Sequence, residues 1–160
     1  MKIIIFDGTF KTTTFINRLI KGLSLNHEVF VLGFNESVKS KITGVHYVGL
    51  GSNTSILIFI FRSVKLRGFN FMKQFKLVLQ LLKGLKSEIT QDNFQLAIDA
   101  IQPDIIHFQW VSVLSYLENL KLPECTKTIL SQRGYHINVR PFVNQDNKVF
   151  LNEVFSKLDG

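Results

Sequence analysis

Several runs of mainly apolar residues limit the folds that this chain can adopt. The first run, Lys2 to Phe6, ends at Asp7 and Gly8, and the runs Glu28 to Leu32 and Val45 to Val48 also end at glycine. Runs without alternating polar positions are typical of strands that are buried on both faces of a parallel sheet. The glycines mark the turns that follow these strands. We therefore expect a largely parallel sheet with helices on both faces.

Segments with apolar residues at helical spacing separate these runs. The order of strands and helices predicts an α/β fold, a three-layer Rossmann-like domain. The segment Ser55 to Lys86 predicts two helices broken near Gly68, because glycine is a poor helix former. The other predicted helices are 12–25, 92–101, 112–120 and 150–158, and the other predicted strands are 104–108 and 127–131.

The composition fits one compact domain. The chain has 160 residues, of which 46% are hydrophobic and 19% are charged, so there is enough apolar material for a core. The single cysteine, Cys125, has no disulfide partner and no potential ligands at metal-binding spacing, so no metal site is predicted and a reducing compartment is favoured. No signal peptide is predicted before the first strand, and the longest apolar run, Ile56 to Phe61, is too short to span a bilayer. These features predict a cytoplasmic protein.

Ligands of open α/β sheets bind beyond the carboxyl ends of the strands, where the strand order reverses. In the predicted topology, strands one, four and five are neighbours, so the loops that follow them should converge. The residues predicted to bind an acceptor or a phosphate are Gly8, Thr9 and Lys11 in the first of these loops, Gln109 and Trp110 in the second, and Arg133, Gly134, His136 and Arg140 in the third.

The third loop has the highest density of polar side chains. Arg133 and Arg140 have the planar donors that clamp phosphate or carboxylate, and His136 can exchange a proton near neutral pH. His136 and Arg133 are therefore the catalytic candidates, although an ordinary solvated loop is the alternative. In the other two loops, Trp110 either stacks on a sugar ring or covers the core, and Gly8 either admits a ligand or forms a simple turn.

Common nucleotide-binding motifs are missing from the first loop. It has neither the G-x-G-x-x-G pattern of dinucleotide-binding folds nor the G-x-x-x-x-G-K-[ST] pattern of P-loop proteins, and strand two ends at Gly33 without an acidic ribose ligand. His107 lies within an apolar strand, where a hydrogen-bonded core histidine is expected.

Basic residues are concentrated in one segment. Between Ile56 and Lys86 there are seven basic residues and no acidic residue, which matches the whole net charge of +7. Cations beside an apolar helix face suit an anionic membrane surface, and the alternative is a pair of helices that pack on the sheet with a solvated basic face. Nucleic-acid binding is not predicted, because no recognised module signature is present. The candidate membrane contacts, at the inner face of the membrane, are Arg62, Lys65, Arg67, Lys73 and Lys76.

Four short motifs follow one another in a characteristic order. Residues 102–110 read Gln-Pro-Asp-Ile-Ile-His-Phe-Gln-Trp, and the other three motifs are the opening strand 1–6, the strand 27–32 and the segment 128–134. Together they resemble the N-terminal domain of retaining GT-B glycosyltransferases of the large bacterial family four. Residues 102–110 are similar to that family's "kPDiiH" strand, which is the most diagnostic of the four. Arg133 stands where the family often has a histidine, with His136 three residues later.

The resemblance implies the acceptor-side half of an enzyme that transfers a hexose from a nucleotide sugar to a saccharide or lipid-linked acceptor. It implies retention of configuration and no metal or other cofactor. The family binds the nucleotide sugar mainly in a C-terminal domain with a Glu-x7-Glu motif, and no such second domain is expected within residues 1–160. The expectation is a single domain that stops before its last strand, is inactive alone and self-associates through an exposed sheet edge.

Two other functions remain open on the sequence. One is a non-enzymatic α/β module with a binding or regulatory role, for which only Asp7 ends a strand in a suitable position. The other is a peripheral membrane adaptor that uses the basic helices.

Overall fold

The computed structural model describes residues 1–10, 12–34, 38, 41–131, 149, 151–153, 155–156 and 158–159. Its elements are β1 (Lys2–Thr9), α1 (Thr14–Leu23), β2 (Glu28–Phe34), β3 (Val45–Gly51), α2 (Ile56–Arg67), α3 (Phe71–Leu82), α4 (Lys86–Ile101), β4 (Ile105–Phe108), a 3₁₀ helix (Val111–Asn119) and β5 (Lys127–Leu130). Further helical residues near the C-terminus include Leu151, which is buried.

The five strands form one sheet in the order β3-β2-β1-β4-β5, and every neighbouring pair is parallel. Ile3 of β1 pairs with Val29 of β2 on one side and with Ile105 of β4 on the other. The strand order therefore reverses between β1 and β4. The predicted Rossmann-like α/β architecture is confirmed, including the adjacency of the first, fourth and fifth strands.

Both faces of β1 are buried, which explains why its sequence does not alternate. Ile3 and Ile5 belong to a cluster that contains Ile16 and Ile20 of α1. The intervening side chains point to the opposite face, where Phe6 packs against Phe94 of α4 with ring centroids 4.6 Å apart. Helices thus cover both sides of the sheet, and both faces of β1 contact apolar residues. This is why β1 is a continuous apolar run in the sequence.

Most predicted element boundaries differ from the structure by a few residues. The break between α2 and α3 is confirmed: Gly68 adopts φ +56°, and the side chain of Asn70 accepts a hydrogen bond from the Lys73 amide at 3.0 Å. The helix predicted from residue 92 begins instead at Lys86, two residues after Gly84, which adopts φ +68°. The helix predicted for 112–120 is a 3₁₀ helix, with bounds Val111–Asn119.

A buried polar network joins α2, α4 and the end of β3. The Arg67 guanidinium donates to Asn93 Oδ1 at 2.5 Å and to the Ser63 carbonyl at 3.0 Å, and it lies 3.7 Å from an Asp92 carboxylate oxygen. The Asn93 amide in turn donates to the Leu50 carbonyl at 2.7 Å and to Ser63 Oγ at 2.8 Å. Burial lowers the pKa of Arg67, and the Asp92 charge acts in the opposite direction.

The same network reaches α3. Lys76 Nζ lies 2.8 Å from an oxygen of Asp92, and Gln80 Nε2 donates to that carboxylate at 2.9 Å. Asp92 is therefore the point at which α2, α3 and α4 meet. Since a buried polar group without a partner is costly, these contacts fix the relative positions of the three helices.

Loss of the Asn93 side chain should destabilise the fold strongly. Asn93→Ala removes a donor to the Leu50 carbonyl and one of the acceptors of the buried Arg67 guanidinium, so we expect the free energy of unfolding to fall by about 3 kcal/mol. Urea unfolding followed by circular dichroism measures this loss. Ser87→Ala, at an exposed position of the same helix, is the control and should change it by less than about 0.5 kcal/mol. Equal midpoints for the two variants would contradict the assigned role.

Candidate functional site

Two of the three predicted loops meet at the carboxyl ends of β1 and β4. Gly8 and Thr9 end β1, and Gln109 follows β4 with its backbone N–H donating to the Phe6 carbonyl at 2.9 Å. Gln109 is fully buried, whereas Trp110 is half-buried and packs against apolar residues on both sides of the sheet. The structure therefore brings these four predicted residues to the point where strand order reverses, as expected.

The backbone at Gly8 requires glycine. Gly8 adopts φ +84°, and a Cβ atom there would lie 3.0 Å from Val113 Cγ1. A Cβ atom on Gly33 would lie 2.8 Å from the Thr9 carbonyl carbon, so the neighbouring strand also packs closely on this turn. The turn geometry by itself explains the glycine, and a ligand contact at Gly8 stays a prediction.

Asp7 lies at the same end of β1, although it is not among the predicted site residues. It is 8% exposed, and its carboxylate accepts a hydrogen bond from the Thr9 amide at 2.9 Å. Burial raises the pKa of Asp7 to about 6, and the backbone hydrogen bonds oppose that rise only partly. A carboxylate with a pKa near neutrality can exchange a proton at physiological pH, which is a property of functional sites. In the sequence, the signal for this property of Asp7 is its position at the end of the central strand.

The remaining loop residues lie outside the described part of the chain. These are Lys11 of the first loop and Arg133, Gly134, His136 and Arg140 of the third. The described chain reaches the same sheet edge at Ser131, whose backbone N–H donates to the Phe108 carbonyl at 2.8 Å. His107, as predicted, is hydrogen-bonded: its Nε2 lies 2.8 Å from Ser131 Oγ.

The five candidate membrane contacts occupy different environments. Lys65, Lys73 and Lys76 are exposed, but Lys76 pairs with the Asp92 carboxylate from α4. Arg62 is half-buried. Arg67 is only 5% exposed and is held in the interior network, so its position differs from the surface position expected of a membrane contact.

A cleft of about 600 Å³ opens beside the edge strand β3. Its lining includes Tyr47 and Gly49 of β3 and Arg62 and Lys65 of α2. A Cβ atom on Gly49 would lie 2.5 Å from Arg62 Nε, so the glycine provides the space in which this side chain lies. The sequence interpretation missed this cleft because it placed Gly49-Leu50-Gly51 in a turn after strand three, whereas these residues belong to β3. The glycines themselves were the signal for it.

Two neighbouring helices expose apolar side chains to solvent. On α3 they recur at i, i+4, i+7, i+8 and i+11 from Phe71, so they form one stripe, while α3 buries Leu77 and Gln80. On α2 they include Leu57, which is 76% exposed. The set, called here the apolar face of α2 and α3, comprises Leu57, Phe61, Val64, Phe69, Phe71, Met72, Phe75, Val78, Leu79 and Leu82.

Two kinds of feature are absent from the described residues. No helix there combines the length and apolar character needed to cross a bilayer. Within the same ranges, no three His, Cys, Asp or Glu side chains are grouped so that they could hold a metal ion.

The raised pKa of Asp7 predicts a pH-dependent loss of stability. The pKa rises from 3.8 to about 6 on folding, so the folded state binds more protons between these values, and the free energy of unfolding falls as pH rises through this window. Relative to Asp7→Asn, the wild type should lose about 2–3 kcal/mol between about pH 4 and about pH 7. Urea unfolding of both proteins at several pH values measures the difference. Parallel pH profiles would show that Asp7 has no raised pKa.

No family model, curated protein or solved structure matches this chain.

Proposed function

We propose that this chain is the acceptor-side domain of a retaining hexosyltransferase that acts on a lipid-linked acceptor at an anionic membrane surface. The observation that carries the proposal is the apolar face of α2 and α3. It lies on the same layer of helices that borders the cleft beside β3. A surface of this kind favours a lipid-linked acceptor over a free saccharide.

The apolar face is too extensive to be ordinary surface. Exposed single apolar side chains are common on soluble proteins, but a contiguous stripe marks an interaction site. Phe71 and Phe75 stack with ring centroids 6.4 Å apart, and Leu82, at the end of the same stripe, is 80% exposed. Transfer of each such side chain from water into lipid releases about 2 kcal/mol. The stripe on α3 therefore supplies a strong hydrophobic contribution to binding.

The charges beside the apolar face select anionic lipids. Asp92 of α4 compensates Arg67 and Lys76, which leaves five of the seven basic residues of the segment without an ion pair to any described residue. Lys83 follows Leu79 by four positions and therefore lies at the edge of the stripe. Each cation near an anionic surface adds about 1 kcal/mol. An apolar stripe flanked by cations is typical of a helix that lies in a membrane interface. The proposed location is therefore the cytoplasm, at the anionic inner leaflet of the membrane.

Support for glycosyl transfer comes from the sheet and the motifs. The sheet order reverses between β1 and β4, and the residues of the "kPDiiH"-like motif form β4 and its flanks beside β1. Asp7, with its pKa near neutrality, and Trp110 lie at this reversal point. The proposal includes a C-terminal domain that supplies the nucleotide-sugar site, and it requires no metal, because positive side chains and helix N-termini can stabilise a leaving diphosphate.

A negative charge introduced on the apolar face should weaken membrane binding. We expect the chain to co-sediment with vesicles of phosphatidylcholine and phosphatidylglycerol. Phe75→Asp should weaken binding at least about tenfold, because an aromatic ring that enters the lipid on binding is replaced by an anion. Binding should also weaken with salt and with vesicles of phosphatidylcholine alone.

The matched control is Phe15→Asp. Phe15 is also an exposed phenylalanine, at 60%, but it lies on α1, outside the apolar face. This variant should bind vesicles like the wild type. Equal loss in both variants, or no binding by the wild type, would contradict the membrane proposal.

Hexosyl transfer is tested with the protein from the complete reading frame. Radiolabelled nucleotide hexoses incubated with this protein and a membrane-lipid extract should yield a labelled lipid with retained anomeric configuration. Absence of both transfer and nucleotide-sugar hydrolysis, in a protein that still binds vesicles, would refute the transferase proposal and support a membrane adaptor.

A further inference from the structure

The cleft beside β3 combines positive charge with aromatic walls. Three of its described lining residues are cationic, namely Lys41, Arg62 and Lys65, and none is acidic. Aromatic side chains include Phe10 and Tyr47, whose rings meet edge to face with centroids 6.2 Å apart. A concave site with a few polar groups on apolar walls is typical of a small-molecule site.

Arg62 is held in a fixed orientation at this cleft. Its Nη1 donates to the Gly51 carbonyl at 2.5 Å, and its guanidinium carbon lies 5.9 Å from the centre of the Phe10 ring. Burial lowers the pKa of Arg62. Among the described residues Arg62 has no carboxylate partner. A guanidinium that is oriented by protein contacts but not neutralised retains donors for an anion.

We propose that this cleft binds the phosphate group of a phosphorylated sugar or lipid headgroup. Arg62 and Lys65 contact the phosphate oxygens, because Arg provides paired donors and Lys provides a mobile charge. Tyr47 and Phe10 form the wall against which the remainder of the headgroup packs. The volume of about 600 Å³ exceeds what a phosphate alone requires, so the site has room for an attached sugar ring.

The cleft also adjoins the apolar face of α2 and α3. Phe61 lines the cleft and belongs to that face, and Lys65 lies on the same helix four residues later. A lipid taken from the bilayer would therefore place its headgroup beside Arg62. This lipid source rests on the proposed membrane function, whereas binding of a free sugar phosphate does not.

Calorimetric titration of the full chain with glucose 1-phosphate tests the site directly. We expect binding of glucose 1-phosphate and inorganic phosphate but not of glucose, and a loss of roughly tenfold or more in affinity in Arg62→Gln and in Lys65→Gln. Lys21→Gln removes an exposed cation on α1, away from the cleft, and should leave affinity unchanged. Equal affinities in Arg62→Gln and Lys21→Gln, or no binding by the wild type, would overturn the proposal.

A second variant separates the position of Arg62 from its charge. Gly49→Ala introduces a Cβ atom 2.5 Å from Arg62 Nε, so the guanidinium must move while the net charge stays the same. Phosphate affinity should fall in this variant while its circular dichroism spectrum stays native. Unchanged affinity in a folded Gly49→Ala protein would show that Arg62 acts only through non-specific charge, contrary to the proposal.

Vesicles distinguish the two sources of phosphate. Phosphatidic acid and phosphatidylglycerol are compared at matched surface charge. If the lipid headgroup is the ligand, the wild type prefers phosphatidic acid, and Arg62→Gln loses this preference but retains binding to phosphatidylglycerol. If a free sugar phosphate is the ligand, glucose 1-phosphate binds without such a preference. A wild type that binds no vesicles refutes the membrane function alone, since the soluble titration still tests the cleft.

Discussion

The buried contact between Arg67 and Asn93 determines where the layer of α2 and α3 lies. Arg67 and Ser63 are on the inward line of α2, and Asn93 connects them to the Leu50 carbonyl at the end of β3. Once this line of α2 is held inward, helical geometry places Arg62 at the edge of β3 and turns Leu57 outward. The cleft and the apolar face therefore depend on the same few hydrogen bonds. The Asp92 carboxylate compensates the charge of the buried Arg67 guanidinium. It also pairs with Lys76, which connects α3 to the same network.

The usual distribution of side chains is partly inverted in α2 and α3, because these helices bury some polar residues and expose apolar ones. α3 buries Gln80 and exposes Phe75 and Leu82, and α2 buries Ser63 and Arg67 while Leu57 faces solvent. Several of these buried polar groups bond to one another, although Arg67 Nη2 and Gln80 Oε1 have no hydrogen-bond partner among the described residues. Phe59, Leu77 and Ile89 add a small apolar cluster between the helices. The stripe costs free energy while it stays in water. A bilayer with an anionic surface is the environment that would remove this cost and also use the neighbouring lysines.

Much of the fold, but only part of the site, follows from local sequence. The strand at Lys2–Thr9 and the break at Gly68 were predictable because a doubly buried strand and a glycine-terminated helix have local signatures. The environment of Arg67 was not predictable. Within a segment of basic residues it looks the same as Lys73, and its partner Asn93 is 26 residues further along the chain. The pKa of Asp7 likewise depends on burial by residues of other elements.

The sequence by itself determined the parallel α/β class of the fold and the polar residues that end its central strands. These follow from hydrophobic periodicity and turn chemistry, which act over a few residues. Only the tertiary structure decided which basic residues are buried, paired or free, and that Gly49 makes room for Arg62 beside β3. The physical reason is that burial and electrostatic compensation are properties of the space between elements. A charge in the sequence gives no sign of the partner that packing brings to it.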